Sequence, residues 1–67
     1  MFNRSAFEIA TKNAGKTLKE VAEMLEIAPS TLYRKMIGES DFYREEINKI
    51  CEFLSIAKKD RENIFFV

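Results

Sequence analysis

The sequence predicts an all-α fold, and three observations carry that prediction. Apolar residues recur at helical spacing along the chain, most clearly Ile47, Ile50, Cys51 and Leu54 at i, i+3, i+4 and i+7. The two glycines, Gly15 and Gly38, each stand just past an apolar stripe, while the one proline, Pro29, opens another. The chain has 67 residues, 46% of them hydrophobic, which suits a single small domain spanning residues 1–67 rather than a disordered segment.

Taken in order, the first helix is expected from Asn3 to Ala14. Asn3 or Ser5 can cap it, Glu8 complements the N-terminal dipole, Lys12 sits in its last turn, and Gly15 stops it. Phe7, Ala10 and Ala14 share one face, with Phe2, Ala6 and Ile9 beside it. The stretch from Thr17 to Gly38 then reads as two short helices joined by a turn of about three residues. Thr17-x-x-Glu20 is a capping box: the Thr17 hydroxyl can accept from the Glu20 N–H, and the Glu20 carboxylate from the Thr17 N–H. Leu18, Val21, Ala22 and Leu25 define the apolar face behind that cap. Glu26, Ile27 and Ala28 form the turn, and Pro29 suits a first helical position, where its missing N–H costs nothing. Leu32 and Met36 face the core from the second helix, and Gly38 closes it as a left-handed cap.

A polar loop follows, in which Phe42 is expected to fold back as a plug on the core. Asp41 or Tyr43 opens a fourth helix that runs to about Leu54, with Glu45 and Glu46 in its first turn. Ser55-Ile56-Ala57 breaks the pattern, and residues 58–64 form a short fifth helix ending in the apolar tail 64–67. No internal repeat or low-complexity tract stands out.

Composition excludes several function classes. Histidine is absent and the single cysteine, Cys51, lies on an apolar stripe, so it reads as a buried structural thiol. No nucleophile–base pair, metal-ligand cluster or glycine-rich phosphate loop is present, so no catalytic residues, metal, cofactor or small-molecule substrate are expected. No apolar run approaches the ~20 residues that span a bilayer, and an intracellular, cytoplasmic protein is the natural reading. Net charge is zero, with 11 basic and 11 acidic residues, yet the charge comes in blocks. Residues 1–19 carry +3, Glu20, Glu23 and Glu26 follow with −3, and Arg34 and Lys35 restore +2. A polarised neutral domain can still present one face to phosphate.

That face is expected on the second helix of the pair. Ser30, Thr31, Tyr33 and Arg34 lie between its apolar anchors, and hydroxyl donors, a phenol and a guanidinium are what base edges and phosphates require. Around them, Ala22 lets two helices approach closely, and Ile27 supplies an apolar anchor after the turn.

These residues resemble the phage Cro/repressor-like family, also called lambda-repressor-like or XRE-type. The run from Ala28 to Ser40 (APSTLYRKMIGES), followed by Phe42 and Glu46-Ile47, is similar to small phage-encoded regulators of Gram-positive bacteria, which commonly end near an Ile-Phe-Phe. The resemblance spans roughly residues 5–66. It implies a five-helix lambda-repressor-like domain with the helix-turn-helix at 17–38 formed by helices 2 and 3, usually a homodimer on a palindromic double-stranded DNA operator. By position it assigns base contacts to Ser30 and Arg34 and an apolar contact to Pro29, with Thr31 and Tyr33 adding base or phosphate contacts. Lys16, Thr17 and Lys35 are the expected phosphate partners. Leu18 stands where the family often has Gln, and Glu26 where Gly is usual, which implies strain of roughly 1 kcal/mol if its φ is positive. Lys35 replaces an apolar residue, so Met36 is expected to take over the packing while Lys35 snorkels to solvent. Phe65 and Phe66 are either a lid on the core or a dimer contact. The rival reading from another class is a protein-interaction module that keeps this fold without binding DNA.

Overall fold

A computed structural model describes residues 2–66. Five helices and no strand occur among them: α1 (Arg4–Asn13), α2 (Leu18–Met24), α3 (Pro29–Met36), α4 (Arg44–Phe53) and α5 (Lys58–Phe65). The all-α expectation holds.

Local chemistry explains where each helix begins. Asn3, not Ser5, caps α1, its side-chain oxygen accepting from the Ala6 N–H at 3.1 Å. Glu8 lies beyond the first turn and instead accepts from Arg4 Nε at 2.8 Å. The Thr17–Glu20 capping box is complete, with bonds of 2.9 and 3.1 Å. Pro29 opens α3 behind Ala28, an N-cap that lacks a side-chain bond. Tyr43 precedes α4, and its N–H donates to Glu46 Oε1 at 2.8 Å. A phenol cannot return the bond as a serine would, so Glu46 carries this cap alone.

The helix ends share a single geometry. After α1, α2, α3 and α4 the chain places one residue in the left-handed region: Gly15 (φ 72°), Glu26 (φ 60°), Gly38 (φ 89°) and Ser55 (φ 54°). In each case that residue's N–H bonds the carbonyl three back, and the next N–H reaches five back, as in Ile27 to Ala22 at 3.0 Å and Ile56 to Cys51 at 2.8 Å. This is the Schellman closure, which satisfies carbonyls that a helix end would otherwise leave open. In three of the four turns a new helix starts three residues after the left-handed one. The turns of α2–α3 and α4–α5 share three of four residues, Leu25-Glu26-Ile27-Ala28 and Leu54-Ser55-Ile56-Ala57, and differ at the left-handed position.

The core gathers Phe7, Val21, Ala22, Leu32, Met36, Ile47, Ile50, Cys51, Leu54, Ile64 and Phe65. One side of it is a phenylalanine cluster. Phe2, Phe7, Phe42 and Phe65 stand with neighbouring ring centroids 4.8 to 6.4 Å apart, in tilted or edge-on pairs. Such pairs contribute about 0.5–1.5 kcal/mol each beyond burial. The cluster joins the N-terminus, α1, the α3–α4 loop and α5, and the Asn3 N–H seals the same seam by donating to the Ile64 carbonyl at 2.6 Å. Phe42 is thus the plug expected of it, and Phe65 is a lid. Phe66 stays 60% exposed, and Val67, also part of the expected tail, lies outside the described residues. Ile9 is 60% exposed too, so α1 turns it away from the face expected to bury it.

Lys35 corrects another expectation. It does not reach solvent: only 6% of the residue is exposed, and Met36 is buried alongside it. Its ammonium contacts Glu46 Oε1 at 3.1 Å, donates to the Asp41 carbonyl at 3.0 Å, and lies 4.4 Å from the Tyr43 ring centroid. A cation enclosed this way has exchanged water for a carboxylate, a carbonyl and a π face. The interaction pins the C-terminal turn of α3 to the cap of α4. It also withdraws Lys35 from any phosphate.

Two outcomes follow for stability. Glu26→Gly should raise stability by about 1 kcal/mol, because glycine relieves the left-handed strain; urea unfolding should show a higher midpoint at unchanged slope. Lys35→Met should cost about 2 kcal/mol by leaving the Glu46 carboxylate without its cation, whereas Lys35→Met with Glu46→Gln should recover a good part of that loss. A double-mutant cycle in urea measures the coupling, and strict additivity would disprove the pairing.

Candidate nucleic-acid interface

The α2–α3 unit presents one helix face outward. Leu32, Lys35 and Met36 bury one side of α3, and Pro29, Ser30, Tyr33, Arg34 and the cap residue Ile37 line the opposite, exposed side. The division follows from 100° of rotation per residue, which puts Ser30, Tyr33 and Ile37 along the centre of that face with Pro29 and Arg34 at its edges. The left-handed Glu26 turn sets how α3 crosses α2, and Val21, Ala22 and Leu32, all essentially fully buried, lock the crossing. Such a face is rigid because its far side is core.

Each expected site residue has a definite place. Pro29, Ser30, Tyr33 and Arg34 come together as predicted. Thr31 does not join them: it is half-buried and turned toward the Lys35 side. Arg34 alone of the two α3 cations remains exposed. Tyr33, half exposed, carries the Arg4 guanidinium over its ring at 5.2 Å. The Glu8 carboxylate, and to a lesser degree the Tyr33 phenol, hold the Arg4 proton more firmly than in an isolated arginine.

The expected phosphate partners divide differently. The Thr17 backbone N–H is taken by Glu20, while its hydroxyl accepts from Glu20 N–H and so keeps its own proton free to donate. Lys16 is half-buried, its ammonium 4.9 Å from the Phe53 ring centroid on the α4 side. A contact of that kind is worth about 0.5–1 kcal/mol, little enough for a phosphate to compete with. Lys35, as described above, is enclosed in the fold.

Sequence reasoning missed Ile37. It lies 43% exposed on the same face, four residues after Tyr33 and seven after Ser30. That periodicity was available in the chain, but an isoleucine beside Gly38 reads as core or cap. An exposed apolar side chain there suits contact with a thymine methyl or sugar.

No helix among the described residues is long and apolar enough to cross a membrane. No curated protein and no solved structure matches the chain. A family model does match, over residues 9–60, which include the whole of α2, α3 and α4. With more than half of the sequence matched, the chain belongs to the Cro/C1-type helix-turn-helix DNA-binding domains, whose partner is double-stranded DNA.

Proposed function

We propose that this protein is a sequence-specific transcriptional regulator of repressor type, from a phage or prophage, which binds its operator as a homodimer. The observation that carries the reading is the composition of the exposed α3 face: Ser30, Tyr33 and Arg34 offer hydrogen-bonding groups at successive levels of a helix fixed from behind by Leu32 and Met36. A helix with its side chains is about 10–12 Å across, and the major groove is about 12 Å wide, so this face fits the groove floor. Ser30 and Arg34 read base edges, Pro29 and Ile37 supply apolar contact, and Tyr33 adds a base or phosphate contact, with Thr31 at the edge of the interface. Thr17 and Lys16 meet the phosphate backbone. The phage assignment rests on the likeness of residues 28–47 to small phage regulators.

The homodimer is supported by Phe66, an exposed aromatic at the lip of a groove of about 560 Å³ whose walls include Phe2, Phe42 and Phe65. A ring and an apolar groove on the same side of one molecule are self-complementary about a two-fold axis. The net charge of zero favours the rival reading, an interaction module that has lost DNA binding. Salt separates the two.

Binding to mixed-sequence duplex DNA should weaken steeply as salt rises, with a log–log slope near −0.9 for each phosphate neutralised. No binding even at low salt would sink the proposal. Arg34→Ala should cost about 1–3 kcal/mol at one base position of the selected operator, measured by competition with base-substituted duplexes. Phe66→Asp should leave the helical signal intact while shifting sedimentation toward monomer and reducing operator affinity.

A further inference from the structure

The exposed α3 face has too little positive charge for its task. Lys35 is enclosed, Arg34 stands at one edge, and the far edge carries only Pro29, with the uncharged Tyr33 beside it toward the centre. Into that far edge the fold brings a residue from another helix. Arg4, the first residue of α1, lays its guanidinium 5.2 Å from the Tyr33 ring centroid, and both side chains are open to solvent. Glu8 engages Nε of that guanidinium at 2.8 Å, leaving donors to spare on the two terminal nitrogens.

We propose that Arg4 is a DNA phosphate contact, so that the interface extends from α3 onto the N-terminus of α1. The inference rests on the DNA-binding reading above. The geometry favours phosphate over base because α3 already fills the groove, and a group attached to its flank from a separate helix meets the strand that walls the groove. Glu8 and the Tyr33 ring have a positioning role. They hold a planar fork in place through an exposed ion pair and a cation–π contact, both weak enough to yield when a phosphate arrives. Arg4 thereby replaces, at the opposite edge, the charge that the enclosure of Lys35 removes.

The test is a KCl series of binding by the full chain to two unrelated duplexes. Arg4→Ala should weaken both equally and flatten the log–log salt slope by about 0.9, the loss of one phosphate contact. Arg4→Lys, which keeps the charge, should keep the wild-type slope, and circular dichroism should show both variants folded. An unchanged slope in Arg4→Ala, or an equal flattening in folded Arg4→Lys, would overturn the proposal while leaving the wild-type DNA binding intact. Failure of the wild type to bind either duplex would instead overturn the function on which the proposal stands.

Discussion

The left-handed residue at the end of α2 is the constraint on which the interface depends. Glu26 at φ 60° turns the chain so that Ile27 returns to the Ala22 carbonyl and Pro29 starts a new helix three residues on. Any other backbone there would send α3 away from α2, and the Ser30–Tyr33–Arg34 face would lose its direction. The protein tolerates a glutamate in that conformation because the surrounding contacts over-determine it: the Schellman bonds close behind it, and Val21, Ala22 and Leu32 close beneath it. The same closure recurs at Gly15, Gly38 and Ser55, so one local solution sets every change of direction between helices.

Around that frame the molecule uses two different adhesives. The phenylalanine cluster is non-directional and gathers segments distant in sequence, the N-terminal strand of chain, the α3–α4 loop and α5. The Lys35 contacts are directional and short in sequence reach, tying α3 to Asp41 and Glu46. The first supplies burial, while the second fixes the angle at which the end of α3 meets the cap of α4. Their division of labour explains how a small chain holds α3 firmly with a modest core.

Function follows from what remains outside. Enclosing Lys35 removes a charge from α3, and bringing Arg4 to Tyr33 returns one from α1. A neutral total is compatible with a face that attracts phosphate when the charges are unevenly distributed over the surface. Under the proposed function affinity and direction are set separately: phosphate contacts at the edges would position the helix, and the side chains at its centre and on Arg34's side would read sequence.

Much of the fold was legible in the chain because it is written in local rules. The Thr17–Glu20 box, Pro29 at a helix start, Gly15 and Gly38 as left-handed caps and the Ile47–Leu54 stripe each act within one or two turns, and all stand where periodicity and capping put them. Pro29, Ser30, Tyr33 and Arg34 share a face for the same reason. What local rules could not supply was the partner of a side chain. Ser55 was not recognised as left-handed because serine has no preference that demands it, and only the packing of α5 against α1 does. Lys35 looked like a surface cation, since nothing within a turn of it shows that Glu46, Asp41 and Tyr43 will close around its ammonium. Arg4 counted only as part of the positive block of residues 1–19, and Thr31 looked like a reader. By itself, then, the sequence determined the helices, their caps and the outward stripe of α3, whereas the tertiary structure decided which charges face water, because a charge's surroundings come from residues far along the chain.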